Sequence, residues 1–465
     1  MTNLFGVLNI GTSALLLQQR AINVTGNNIA NVNTPGYSRQ RLNIETASPV
    51  ASAVGPVGFG VRSAGVERIY DRFLGVQLNS ENANLGRWEA QKGMLDRVEV
   101  VFDESGGYGL NQALSDFWNS WQDLSLNPSG STERSMVAAT SQGLADIIRK
   151  KYSDLEQVQE DIDIAVAGGV EEVNRLTAQI ADLNRKIAQT EIGGTNANDY
   201  RDSRDLALKQ LSEIIDIKSF EDANGQVAVS VGSGRPLVES GHTWQLQAQA
   251  QPDSDGPTEI LWPDTNGGSV TISSEITGGK IGGWLQTRDA KIAAYQDQLD
   301  VLANELREWV NGLHASGYGL DKTTGINLLT GTGAADTQVN PDILEDLNLL
   351  AASATLAGVP GNADNAIAIN ALRTGLTMND GTATFDAAAN SLVSQVGYDV
   401  QTAKASAGHQ ADMMTYLENY RESVSGVSLD EEMVNLVKFE AAYNAAAKMV
   451  SIADEMLDSL MNIIR

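Results

Sequence analysis

Apolar residues recur at helical spacing along residues 4–29, where Leu8, Leu15, Ile22 and Ile29 lie seven apart and Leu17 and Val24 broaden the stripe. The pattern predicts an amphipathic helix with one seam. It should stop near Asn33-Thr34-Pro35-Gly36, because proline drives the preceding residue into extended backbone and glycine readily turns. The other end of the chain is stricter. Leu429, Leu436, Tyr443, Val450, Leu457 and Ile464 hold one heptad position, and Phe439, Ala446, Ala453 and Leu460 hold the position three further on, which is a coiled-coil seam. At about 1.5 Å per residue this helix is on the order of 54 Å long. A stripe so long and one-sided needs a partner helix.

Between the ends, helical periodicity runs through residues 144–188, 203–215, 289–313 and 385–424, and predicts a bundle assembled from distant parts of the chain. From Ile217 the period changes to two, as in Val227, Val229 and Val231, with turn formers such as Asn224-Gly225 and Asp255-Gly256-Pro257 between short runs. This predicts a small antiparallel β domain inserted between helices. A Gly-, Thr- and Asn-rich stretch, 317–365, is less regular and reads as a smaller excursion or an extended loop. The expected fold is α+β, mainly α, and elongated. Residues 1–35 with 428–465 form a terminal coiled coil, 36–216 with 281–427 a helical bundle, and 217–280 the inserted β domain.

Charge and composition remove several functions. The 465 residues carry 32 Lys and Arg against 59 Asp and Glu, a net charge of -27. That opposes binding to nucleic acid or an anionic membrane surface. Without a single cysteine, the chain has no disulfide, thiol nucleophile or thiolate metal site. No secretory signal is visible at the N-terminus and no apolar run approaches the ~20 residues that span a bilayer, which fits either the cytoplasm or export without cleavage. His242, His314 and His409 lack ligand spacing and read as surface or capping residues. Asp199, Asp202 and Asp205 with Arg201 and Arg204 read as a helix start with exposed salt bridges rather than an acid/base pair or calcium loop. Gly278, Gly279, Gly282 and Gly283 lack the Lys-Ser/Thr of a phosphate loop and fit a close strand-to-helix turn. No catalytic, cofactor-binding or metal-ligating residue is assigned.

One run carries a resemblance. Asn27-Asn28-Ile29-Ala30-Asn31-Val32-Asn33-Thr34-Pro35-Gly36-Tyr37-Ser38-Arg39-Gln40 resembles the N-terminal signature of flagellar rod, hook and hook-associated proteins. Its continuation from Tyr37, and Ser425-Gly426-Val427-Ser428-Leu429-Asp430-Glu431-Glu432-Met433 near the other end, are similar to the hook-associated protein 1 family in particular. Asp202-Ser203-Arg204-Asp205-Leu206 and Gly278-Gly279-Lys280-Ile281-Gly282-Gly283-Trp284-Leu285 resemble that family's entry to and exit from its β region.

The resemblance implies a non-enzymatic structural subunit at the junction of hook and filament, outside the cell, exported unfolded by the flagellar type III apparatus without a cleaved signal peptide. Implied partners are copies of itself in a tube, hook protein, a second hook-associated junction protein, and an export chaperone on the C-terminal helix. Leu8, Leu15, Ile22, Ile29, Leu429, Leu436, Tyr443, Val450, Leu457 and Ile464 become the axial assembly interface. The signature positions are Asn28, Asn31, Asn33, Thr34, Pro35, Gly36, Tyr37, Ser425, Gly426 and Leu429. Two other readings compete: a hook or distal-rod subunit, and an exported cell-wall glycan hydrolase on an axial-protein scaffold.

Overall fold

The computed structural model describes residues 2–52, 55–104, 106, 109–250, 256–264 and 267–464. Helix α1 (Thr2–Ala30) opens the chain and is followed by a narrow β ribbon. In the ribbon β1 (Gln40–Thr46) pairs antiparallel with β4 (Val61–Arg68), Gln40 opposite Arg68 and Thr46 opposite Val61. Beyond them β2 (Val50–Ser52) pairs with β3 (Gly55–Val57) at the tip. The sequence pattern predicts no strand here and starts the helical bundle instead. The bundle proper begins with α2 (Arg72–Val101), whose first turn is capped by Asp71 accepting from the amides of Phe73 and Leu74. Then come α3 (Leu110–Leu126), α4 (Ser131–Glu191) and α5 (Asn198–Ile214).

The inserted β unit follows α5. One antiparallel sheet runs in the order β5 (Ile217–Glu221), β6 (Val227–Val231), β7 (Arg235–Glu239), β8 (His242–Thr243). The other places β10 (Glu259–Pro263) between β9 (Gln247–Gln249) and β11 (Ser269–Thr271). The chain returns through α6 (Gly279–Gln286), one wider π turn at Thr287–Ile292, and α7 (Ala293–Ser316). A compact excursion carries β12 (Leu329–Thr330), β13 (Gln338–Val339), α8 (Pro341–Glu345) and α9 (Asp364–Ala371). Two long helices close the chain, α10 (Phe385–Ser425) and α11 (Leu429–Ile464).

The 61 residues of α4 form the spine. Val158, Ile162, Val166, Val173, Leu176, Ile180 and Ile187 make one buried face close to the predicted stripe, with Val166 buried in place of Ala165; α5 packs on α4, and α3 packs near its start, where Ser120 meets Thr140. A second helical layer pairs α2 with α10 and α6. Helix α2 carries no simple apolar stripe because it is covered on more than one side and buries polar Asn82 and Gln91. Asn82 donates to the Lys209 carbonyl and to Ser212.

Backbones touch where α2, α5 and α6 cross. A Cβ on Gly86 would lie 2.1 Å from the Glu213 carbonyl oxygen. Gly279 has φ +68 and would place a Cβ 2.4 Å from the Ile215 nitrogen. The glycine-rich exit from the β unit is thus a close strand-to-helix turn, with glycine required by backbone conformation and by contact.

The excursion is held by two side chains that serve backbone groups. Arg134 of α4, buried, donates to the carbonyls of Pro128, Leu347 and Leu350. His314, at the end of α7, donates from Nδ1 to the Ile326 carbonyl at 2.7 Å and accepts at Nε2 from the Ala351 amide at 3.1 Å. Surface or capping roles expected for the histidines therefore hold for His242 and His409, which are exposed, but not for His314.

Candidate functional site

The ends of the chain come together as an antiparallel helix pair, here called the stem. Asn28 of α1 bonds to Glu432 of α11, and Gly11 sits on Val450, so residues 28 and 11 of one helix are level with 432 and 450 of the other. A Cβ on Gly11 would come within 2.9 Å of Val450 Cγ2. Ala21 on α1 and Ala446 and Ala453 on α11 are buried in the same contact. Small residues let the two backbones approach, Leu17 of α1 is buried with them, and the other large apolar side chains described on α1 stay half-buried or exposed.

The predicted seam residues follow from this geometry. Leu8, Leu15, Ile22 and Ile29 are half-buried, as are Leu436, Tyr443, Val450 and Leu457. Leu429 is exposed, and the side chain of Ile464 lies outside the described residues. On α11 the heptad positions from Leu436 to Leu457, with Ala446 and Ala453 at the centre, face the contact, whereas Leu460, also a seam position by the heptads, is exposed. On α1 the close contact is rotated onto Gly11 and Ala21, about one residue away from the leucine row. Further apolar side chains stay open to solvent, among them Phe5 and Leu16 on α1 and Val434, Val437, Met449 and Met456 on α11.

An elbow of polar residues joins the stem to the bundle. Asn28, 1% exposed, uses its whole amide: Nδ2 donates to the Gln40 carbonyl at 2.9 Å and to Glu432 Oε2 at 3.1 Å, while Oδ1 accepts from Tyr37 Oη at 2.8 Å and the Gln40 amide at 2.9 Å. Asn31 bonds back to Asn27 and accepts from Thr34, which closes α1. Asn33 and Pro35 are exposed, and Gly36 turns with φ +81 against Leu206 of α5. Arg39 bridges Glu431 at 2.6 Å and Glu432 at 2.7 Å, and its amide donates to the Ser425 carbonyl at 2.9 Å. Gly426 ends α10 with its amide on the Glu422 carbonyl. Both halves of the signature therefore meet at one place.

The acidic start of α5 forms the other wall. Asp202 accepts from the Ser38 amide at 2.9 Å and pairs with Arg68 at 2.9 Å, and Asp205 pairs with Arg68 at 2.6 Å. Asp199 accepts from Gln40 Nε2 at 2.8 Å. The arginines between them face the opposite way. Arg201 pairs with Glu191 and Glu221, and buried Arg204 with Glu221 and the Gly225 carbonyl in the β unit. The sequence pattern suggests an exposed charged helix start; instead these residues fasten the chain entry on one side of α5 and the β unit on the other. Burial and the carboxylates of Asp199, Asp202 and Glu432 push the Tyr37 phenol well above its ordinary range, so it stays a donor. Burial disfavours charge on Arg68, yet Asp205 and Asp202 outweigh it and raise its pKa.

Sequence reasoning missed Arg68, Asp202 and Glu432 as members of one network. The available signal was the i, i+3 spacing of Asp199, Asp202 and Asp205, which puts three carboxylates on one face of a helix. Among the described residues no group of His, Asp and Glu is placed to hold a metal ion, and no helix is long and apolar enough to cross a membrane.

Comparisons with known proteins converge on the same regions. The family profile described as the flagellar hook-associated protein FlgK helical domain matches residues 95–329. A flagella basal body rod protein profile matches 8–37, and the flagellar basal body rod FlgEFG protein C-terminal profile matches 419–463. These last two coincide with α1 through the elbow turn and with the end of α10 plus α11. The chain is 30% identical over 502 residues to flagellar hook-associated protein 1 of Bacillus subtilis, covering 99% of each chain. It is 25% identical over 545 residues to the Escherichia coli protein of the same name, covering 98% of this chain and 99% of that one. The solved structure of the flagellar hook junction protein FlgK from Burkholderia pseudomallei aligns with a TM-score of 0.63 at 15% identity. That alignment covers 75% of this chain and 100% of the other, and shows the shared fold.

Proposed function

The chain belongs to the flagellar hook-associated protein 1 family, and from that premise we propose that it is a structural subunit at the hook–filament junction whose terminal stem is its assembly interface. The observation that carries the proposal is the state of the stem. Most large apolar side chains of α3 and α4 are buried, with Leu126, Met136 and Ile164 as scattered exceptions, whereas α1 and α11 bury Leu17 and small residues and leave Phe5, Leu16, Val434, Val437, Met449 and Met456 open to water. Large contiguous apolar surface on a folded chain marks a contact with another protein. A stem that buries mainly small residues internally, with Leu17 beside them, is suited to bury its remaining large ones against neighbours.

In this reading Leu8, Leu15, Ile22, Ile29, Leu436, Tyr443, Val450 and Leu457 gain full burial on assembly. Leu429 extends the same face. The stem, 1–35 with 428–465, lines a tube of identical copies, and the bundle and β unit lie farther out. The elbow fixes the angle between them through Asn28, Tyr37, Arg39 and Glu432. Hook protein on one side and a second hook-associated protein on the other complete the junction. Its place is outside the cell, reached by flagellar export without signal cleavage, with an export chaperone holding α11 beforehand. The proposal assigns the subunit no catalysis.

Immunogold labelling of flagella carrying an epitope tag on the exposed β11 edge of the β unit tests the assignment. Gold confined to the hook–filament boundary is expected. Label spread along the hook, along the rod or along the filament would overturn it.

A further inference from the structure

The β ribbon between α1 and α2 has no place in the reading so far, and residues 38–94 lie outside all three family-profile matches. No charged residue stands between Glu45 and Arg62, in a chain in which 20% of residues are charged. Its base is anchored. Gln40 bonds to Asn28, and Gly60 (φ +93) packs on Ile10 and Ser13, so β1 and β4 run along α1 from the elbow toward its N-terminus. The tip is not anchored. Strands β2 and β3 pair with each other and pack on no other element to any substantial extent, and Val50, Val57 and Phe59 are exposed. A two-stranded ribbon alone is at best marginal in water and needs a surface to lie on.

The same molecule carries a second uncovered apolar surface. Met449, Ile452, Met456 and Leu460 repeat at three- and four-residue spacing on α11, all exposed. At about 100° per residue, Asp454 and Asp458 fall on the opposite side of the helix and Glu455 on its flank. The two surfaces also share a height. Gly60, at the root of the tip, sits on Ile10 and Ser13, and the neighbouring Gly11 sits on Val450. The tip spans three residue pairs, roughly 10 Å from that level.

We infer that the ribbon tip docks on the Met449–Leu460 stripe of a second copy of this chain. Charge favours this occupant. Copies with a net charge of -27 repel, so close contact between them is easiest where both surfaces are uncharged. The contact is heterologous: each copy offers one tip and one stripe, at the same height, on different elements. Such contacts propagate around a ring or helix and do not stop at a dimer. The inference rests on the assembly reading above and names a specific contact within it.

The absence of cysteine permits a direct test. Flagella are isolated from cells making the chain with Val57→Cys and Met456→Cys together, or with either substitution alone, and are treated with a mild oxidant. A ladder of multimers from the double variant, and no ladder from either single variant, is expected. Monomer alone, a faster-migrating monomer closed on itself, or dimers from the single variants would each overturn the inference. In addition, Val57→Asp with Phe59→Asp should abolish filaments while leaving the melting temperature of the purified subunit unchanged. Normal filaments on that strain would count equally against it. Filament assembly by the double-cysteine strain separates the two levels: a missing ladder on flagella with normal filaments removes the docking contact and leaves the junction role standing. Filaments built without this chain at all would remove the junction role.

Discussion

The substitution Asn28→Asp tests the elbow with the smallest change of shape. Aspartate keeps both acceptor bonds, from Tyr37 Oη and the Gln40 amide, but when ionised cannot make the donations to the Gln40 carbonyl and Glu432 Oε2. The ionised variant faces Glu432, itself 2% exposed, across what is now a 3.1 Å hydrogen bond. With an effective dielectric of about 20, two like charges at that distance repel by roughly 5 kcal/mol. Taking up a proton instead costs about 4 kcal/mol at pH 7 for a carboxyl of ordinary pKa near 4, so protonation wins and sets the cost. Once protonated, the new carboxyl donates to Glu432 again, and the lost bond to the Gln40 carbonyl adds about 1 kcal/mol. The stem should therefore be less firmly docked by about 5 kcal/mol at pH 7. Because the carboxyl at position 28 has its folded pKa raised above the unfolded value, the missing stability returns as pH falls toward about 4 and is lost as pH rises. Hydrogen exchange read peptide by peptide is the assay. Protection of α1 and α11 amides should fall by about 5,000-fold at pH 7, or to the limit of the stem's own opening, and recover by roughly tenfold per pH unit on acidification. Peptides of α4 should be unaffected. Unchanged α11 protection in the variant, or a loss independent of pH, would refute the reasoning.

Other expectations follow from single sites. Burial pushes the His314 pKa from 6.5 down to about 4, with the nearby Arg134 charge acting in the same direction and the hydrogen bond to Ile326 opposing it. The neutral ring is the folded form, so stability should be complete above pH about 6.5 and decline by about 3 kcal/mol in all as pH falls to about 4. Urea midpoints at pH 7 and about pH 4.5 should differ less in His314→Gln than in the natural chain, and equal differences would exclude His314 as the cause. Gly279→Ala, at φ +68 with backbone 2.4 Å from the new methyl, should cost about 3 kcal/mol or more in thermal melting. Gly312→Ala on α7, with nothing within 4 Å, should gain up to about 1 kcal/mol in the same assay. Equal effects at the two glycines would contradict the close crossing of α2, α5 and α6.

Strong periodicity was legible wherever one face of an element meets one core. The buried row from Val158 to Ile187 on α4 and the alternation of Val227, Val229 and Val231 in β6 are such cases. Helix α2 escaped because it is covered on several sides, so polar Asn82 and Gln91 sit inside and no stripe survives. Strands β1 and β4 escaped because they are short, half-exposed and joined by a Gly-, Ala- and Pro-rich tip that imitates a loop. The excursion, 317–365, has no period of its own, since His314 and Arg134 hold it through backbone groups that any sequence would offer. At the stem the heptads located the right helices, and Leu17 at the edge of the predicted stripe is buried, but the closest contact on α1 was decided by size. Gly11 and Ala21 let the backbones close, and a hydrophobicity count ranks both below the adjacent leucines. At the elbow the charges were visible and their partners were not. Arg68 stands 134 positions from Asp202, and Arg39 stands 393 from Glu432, so each pair meets only in the folded chain.

The central claim is that this chain lets a filament be built on a hook and that its terminal stem is the part that does so. Electron microscopy of cells lacking the chain tests it most directly, with the full chain and a chain ending before Leu429 each supplied in trans. Bare hooks, with filament protein shed into the medium, restored to filaments by the full chain and not by the shortened one, are the predicted result. Normal filaments without the chain, loss of the hook itself, or full rescue by the shortened chain would contradict it.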